Sequence, residues 1–285
     1  MKRFKWELVL LGITLIFGFS YPFMSIVSYS LSPFIANFFK SFLGIVVMLP
    51  LALKVKCSNY KDLLISGILL GIIMVVCPLC QQIAADKLPS GKIGFITSMY
   101  VVMTPILSFV IFKKKPSIVT TLSVVLAAFG LYLLCGVSGV KIGKYDLIVL
   151  LAALSFAFEI ILIEKYSKTV NPFQFTLCAM IVSSIINLAF ACTYETFTIN
   201  QIMSVFPELL YIGIGCTAIG YCGQMIGQKH VDETLSALIM SLESVISVLG
   251  GYLFLHQVLT PKELIGCLIM FVAVIMCEIS QTKYK

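Results

Sequence analysis

Charge is what this sequence has least of. Only 12% of its 285 residues are Asp, Glu, Lys or Arg, about half the share of a soluble domain, roughly 25%. A hydrated surface cannot be built from so few charges, so most of the surface is expected to face hydrocarbon. Histidine is scarce too. His230 and His256 stand alone, both near predicted helix ends, and no metal site is expected. There is no P-loop, HExxH, GxSxG or Asp-rich motif, which argues against nucleotide, zinc-hydrolase and serine-hydrolase chemistry. No cofactor and no enzymatic activity are expected.

What is present is apolar. AVILMFWYC residues make up 60% of the chain and the mean hydropathy is +1.05. A bilayer core about 30 Å thick takes about 20 apolar residues per helix. Such stretches are predicted at 6–27, 33–53, 62–85, 90–112, 117–136, 145–165, 172–193, 207–229, 234–256 and 261–281. The fold class is therefore an all-α integral membrane protein of ten transmembrane helices. The runs lack the period-two alternation of a barrel, and open sheet edges do not survive in lipid. The first stretch is read as a retained helix, not a cleaved signal.

The ten cysteines lie mostly inside the apolar runs. Cys77-Pro-Leu-Cys80 has CxxC spacing but no nearby histidine, and both thiols are read as small packing residues. Lys and Arg number 20 against 13 acids. With the N-terminus inside, 14 fall on inner segments, 5 on outer loops, and Lys40 within a helix. The net +7 is thus a topology signal. Both termini are expected in the cytoplasm of a cell-membrane protein, and no nucleic-acid partner is expected.

The sequence repeats itself. "KLPSGKIGFITSMY" (87–100) matches "HVDETLSALIMSLE" (230–243), pairing Tyr100 with Glu243. "LSPF" (31–34) matches "VNPF" (170–173), and Pro116 matches Pro261. Helices 1–5 therefore repeat as 6–10, giving domains 1–140 and 141–285. Five is odd, so the second half is inverted. Inverted repeats build alternating-access carriers with a midplane site.

On "IFGFSYPFM" (16–24), "GFITSMYVVMTPILSF" (94–109) and "LSALIMSLESVISVLGGYLFLHQVLTPKELIGCLIMFVAVIM" (235–276), the chain resembles EamA-like members of the drug/metabolite transporter superfamily. The resemblance implies a proton-coupled or exchange-type carrier, often an exporter of amino acids or other small metabolites. Two departures stand out. Phe112-Lys113 and His256-Gln257 replace the "GE" of many relatives, and Ser244 replaces the proline of the "SLEP" pattern.

Intramembrane polar groups are the site candidates. Glu243 sits roughly 14 Å into helix 9 at 1.5 Å per residue. It is expected either to take up a proton or to bond a neighbouring, moving helix. Glu159 pairs with Ser20 by the repeat. It either tunes substrate or ion choice, or reaches the inner interface or a lysine. Lys40 either balances a carboxylate, draws an anionic substrate group, or snorkels to the outer headgroups. Tyr21, Gln81, Gln82, Tyr100, Tyr221 and Gln224 are neutral candidates for substrate binding, with bridging between helices as the alternative. Pro22, Pro78 and Pro105 are expected to kink their helices. Gly67/Gly71 and Gly223/Gly227 are expected to permit close packing. The expected partners are a small-molecule substrate and membrane lipids, with the chain a monomer or weak dimer. A membrane-embedded enzyme or a channel is the alternative function.

Overall fold

The computed structural model describes residues 4–56, 59–113, 115–134, 143–257 and 261–283. The expected domain boundary at 140/141 lies outside the described residues, as do Lys2, Arg3, Lys114, Lys141 and Lys285 of the basic count. Among the described residues there is no strand. Ten long helices run in order: α1 Phe4–Ser28, α2 Pro33–Leu53, α3 Tyr60–Ala84, α4 Ser90–Phe112, α5 Ile118–Leu134, α6 Lys144–Tyr166, α7 Pro172–Tyr194, α8 Phe206–Gln228, α9 Glu233–Leu255 and α10 Pro261–Lys283. Eight are long and apolar enough to cross a membrane. The other two, α5 and α10, are apolar over Ile118–Gly130 and Leu264–Cys277.

The helix starts follow from local chemistry. Pro33 and Pro172 occupy the first turns of α2 and α7, where a missing N–H costs nothing. Asn59, Asn171 and Asp232 accept the N–H groups of Asp62, Phe173 and Leu235 at 3.1, 3.0 and 3.0 Å. The start of α2 is also closed from a distance. Glu195, just past α7, accepts from Phe34 N–H at 3.0 Å and Ile35 N–H at 2.8 Å. At the other end of α4 and α9, Lys113 (φ 57°) and His256 (φ 53°) turn into the left-handed region. The offset between them is the one that pairs Tyr100 with Glu243.

Three features depart from ten plain helices. A short helix, Ile199–Ser204, precedes α8, closed by a reciprocal Thr198/Gln201 cap. The Tyr211–Gly220 stretch of α8 is π-wound. Both α4 and α9 are interrupted, at Met99 and at Leu242, where each N–H turns back to the residue three before it, Ile96 and Ile239. The two interruptions occupy matching positions of the repeat. They touch, since Ser98 Oγ donates to the Ser241 carbonyl at 3.4 Å.

The best-packed helix pairs cross between the halves: α2 with α7, α3 with α6 and α7, α1 with α8 and α9, α4 with α9, and α5 with α10. In lipid such packing rests on close van der Waals fit, not on expulsion of water. Small residues allow it. Gly67 and Gly71 of α3 meet Cys178 and Val182 of α7, while Gly223 and Gly227 of α8 meet Ile13 and Leu10 of α1. Both expected glycine pairs thus lie at helix crossings. Near the start of α1, Trp6 stacks on His230, ring centres 4.2 Å apart and 14° from parallel.

Candidate functional site

Tyr100 and Glu243 each follow the interruption of their helix. Each is eleventh in a 23-residue span, roughly 15 Å from either end. They are 0% and 1% exposed. The phenols of Tyr21 and Tyr100 are the polar neighbours of the Glu243 carboxyl. Neither closes a hydrogen bond of ordinary geometry on Glu243 Oε1, which is buried without a partner, as is the Tyr100 hydroxyl. The Tyr100 ring stacks on Phe156 at 4.7 Å.

Glu243 lines a small central cavity with Tyr21, Lys40, Gln81, Tyr221 and the thiols of Cys77 and Cys216. The cavity holds about 30 Å³, room for about one or two waters. This conformation is closed around its centre. Larger grooves of about 550 and 590 Å³ lie elsewhere, between α4 and α5 and between α2, α3 and α7.

Lys40 is 7% exposed and points into the cavity, so it does not snorkel. Its electrical neighbours are Cys216, Cys77 and Glu159. Among the described residues no carboxylate lies within ion-pair distance of it. Glu159 is fully buried behind the cavity wall. Its Oε1 accepts from Gln224 Nε2 at 2.9 Å, its Oε2 has no partner, and Tyr221 stands beside it. It therefore neither reaches the surface nor pairs with a lysine among the described residues. An uncompensated charge is expensive in such surroundings.

The neutral candidates divide. Gln81 donates to Tyr21 Oη at 3.3 Å and Thr97 Oγ1 at 3.2 Å, within the cavity wall. Tyr221 lines the cavity and meets Phe17 edge-on, ring centres 5.7 Å apart. Gln224, the repeat counterpart of Gln81, donates to Glu159 and, at 3.2 Å, to Gln228, away from the cavity. Gln82 is turned aside and donates to the Met24 carbonyl at 3.2 Å, a bridge between α3 and α1. Pro78, expected to kink α3, lies in the cavity wall, while Ser20, Cys77 and Cys216 were not foreseen there. The apolar settings of these three offered no signal beyond the repeat position of Ser20. Among the described residues no group of His, Cys, Asp or Glu could hold a metal ion.

Polar contacts tie α4 to its neighbours at both ends. Where α4 starts and α9 ends, Ser90 Oγ donates to Gln257 Oε1 at 3.0 Å, and Lys92 pairs with Asp146 at 2.6 Å. Where α4 ends and α9 starts, Ser108 Oγ donates to Glu233 Oε1. Two interrupted helices clasped at both ends enclose the central carboxyl. A family profile described as the EamA-like transporter family matches residues 4–136 and 143–278.

The chain belongs to the EamA-like transporter family. It is thus a multi-pass membrane transporter. A protein named "Uncharacterized transporter" from Archaeoglobus fulgidus is 31% identical over 98% of this EamA-like chain and 87% of its own length. YoaV of Bacillus subtilis, also named an uncharacterized transporter, is 19% identical over 99% of each. PecM of Dickeya dadantii is 22% identical over 68% of this chain and 67% of its own. One solved crystal structure superposes with a TM-score of 0.72 at 14% identity, covering 96% of this chain and 99% of its own. That likeness concerns the EamA-like fold.

Proposed function

We propose that this chain is a secondary carrier that exports a small polar metabolite, an amino acid or related compound, across the cell membrane by alternating access. Its halves, 1–140 and 141–285, are the two rocking units, and both termini face the cytoplasm. Proton coupling or exchange drives the cycle, and the chain catalyses no chemical conversion. One observation carries the reading. A buried ammonium, Lys40, and a buried carboxyl, Glu243, line the same closed midplane cavity, and no ion pair joins them. An ammonium-bearing carboxylate substrate offers each the opposite charge. Without substrate, a proton on the carboxyl spares the cost of an isolated charge. Tyr21, Gln81 and Tyr221 supply neutral hydrogen-bonding groups around the substrate. Tyr100 and the Glu159–Gln224 pair stand one layer back.

The test is flux in proteoliposomes. A carrier gives saturable uptake of amino acids that rises with an imposed pH gradient and supports counterflow. Flux that does not saturate would assign a channel, and chemical change of the solute would assign an enzyme. Orientation is read separately. In a cysteine-free background, a cysteine at Gly143 should label from outside and one at Ser117 only from inside; the reverse refutes the topology.

A further inference from the structure

The outer and inner ends of the molecule treat the start of a helix differently. At the outer end, the first turn of α2 is closed by the Glu195 carboxylate on Phe34 and Ile35 N–H. A helix start carries free N–H groups and partial positive charge, so an anion is at home there. At the inner end, α7 is the repeat counterpart of α2, Pro172 standing where α2 has Pro33. The same spacing carries Glu195 back onto Lys56. Where one half sets a carboxylate beside a helix start, the other sets an ammonium.

Lys56 lies at the polar end of the groove of about 590 Å³ between α2, α3 and α7. Gln174, in the first turn of α7, shares that end. Its Nε2 donates to the Val55 carbonyl at 2.7 Å, and its Oε1 is buried with no hydrogen-bond partner. Such an acceptor calls for a donor. Tyr60, the first residue of α3, stands there too, so a second helix start faces the same end. Lys54 and Lys61 flank it against one acid, Asp62. The rest of the wall is apolar, with Leu63, Leu177 and Ile181 along it. The complement of these groups is an anion with a hydroxyl donor and a hydrocarbon tail.

We propose that this groove retains an anionic glycerophospholipid. Its phosphate lies at the start of α7 as the Glu195 carboxylate lies at the start of α2, beside Asn171, whose Oδ1 already closes the Phe173 N–H at 3.0 Å. A headgroup hydroxyl donates to Gln174 Oε1, and an acyl chain lies along Leu63, Leu177 and Ile181. The groove's Cys178 and Val182 are the residues that pack on Gly67 and Gly71, so the lipid braces the crossing of α3 and α7, one from each half.

The experiment uses the whole chain, stripped of lipid in detergent. Native mass spectrometry and thermal unfolding are followed while phosphatidylglycerol, phosphatidylcholine of equal chain length, or inorganic phosphate is added. Phosphatidylglycerol should bind about fivefold or more tighter than phosphatidylcholine, the contribution of about one interfacial lysine. Lys56→Gln should erase that preference. Lys56→Glu should erase it too and should unfold, without lipid, at a higher temperature than Lys56→Gln, because it restores a carboxylate from within the chain. Equal binding of the two lipids by the unaltered protein, or a preference that survives Lys56→Gln, overturns the proposal. So does full stabilisation by inorganic phosphate alone, which would make the occupant a free anion. A Lys56→Glu protein no more stable than Lys56→Gln would overturn the equivalence with Glu195.

Discussion

Helices α4 and α9 break at equivalent places, yet the residue after the break is Tyr100 in one and Glu243 in the other. The same holds elsewhere around the cavity. By the spacing that relates Pro33 to Pro172, Glu159 of α6 corresponds to Ser20 of α1, and Lys40 of α2 to Ala179 of α7. The backbone repeats down to the two left-handed residues, Lys113 and His256, while none of the ionisable groups Lys40, Glu159 and Glu243 is repeated. A symmetric frame gives two conformations of similar energy, which alternating access needs. Charges placed in only one half can make those conformations respond differently to a proton or a substrate. In the proposed cycle the frame supplies the motion and the departures from symmetry supply the coupling.

The comparison is broken most severely at Glu243. Glu243→Gln keeps the shape and makes the position uncharged, as its counterpart Tyr100 is. Flux driven by a pH gradient should fall to background while counterflow partly survives, since exchange moves no net proton. Unchanged gradient-driven flux would make Glu243 structural and shift the coupling role to Glu159. The next largest effect is at Lys40. Lys40→Met removes the cavity ammonium and should weaken substrate affinity by about ten- to hundredfold, the range of a lost charged hydrogen bond. Competition binding reads it, and unaltered affinity would leave Lys40 without a role in binding.

A smaller effect tests the frame itself. Gly94 of α4 corresponds to Ala237 of α9. A Cβ on Gly94 would overlap the Ser247 side chain of α9. Gly94→Ala should therefore cost about 1–3 kcal/mol through overpacking, seen as a lower unfolding temperature. No loss would mean that α4 and α9 separate at little cost. The smallest effects are at the clasps. Under the proposed orientation Ser90→Ala loosens the outer end and Ser108→Ala the inner, each by about 1 kcal/mol for one hydrogen bond. Thiol labelling of paired outer and inner cysteines should shift about fivefold, in opposite directions for the two variants. Shifts in one direction for both would show that the ends do not work against each other.

Much of the frame was readable because its punctuation is local. Pro33, Pro172, Asn59 and Asp232 mark helix starts by their own chemistry, and the long apolar runs leave little choice between them. The helix at Ile199–Ser204 had a legible signal in the T-x-x-Q cap of Thr198 and Gln201, which the polar connection around it obscured. The π-wound stretch had none. Its ten residues are apolar apart from Thr217 and contain three glycines, and its neighbours are tertiary: Gly213 lies against Leu43 and the Lys40 carbonyl, and Gly220 against Phe17. At the site, the repeat and the rarity of membrane carboxyls single out Glu243, Tyr100 and Glu159. They cannot say that Gln81 faces the cavity while its neighbour Gln82 faces α1. Adjacent residues on a helix point about 100° apart, and only the packing of α3 decides which one turns inward.

The stacked pair of Trp6 and His230 has an optical consequence. Trp6 is the chain's only tryptophan, so all indole fluorescence comes from one ring, and that ring lies flat on His230. A protonated imidazole in such contact should quench the emission. Burial, and then the neighbouring Lys229 charge, hold the His230 pKa below its ordinary value. The pair is therefore neutral and bright near pH 7 and should darken only below the pH at which an ordinary histidine titrates. His230→Gln should flatten that titration; a quench that persists would place the quencher elsewhere. With the quench assigned, the unlabelled protein reports, as light, whether the start of α1 is still seated against the turn between α8 and α9.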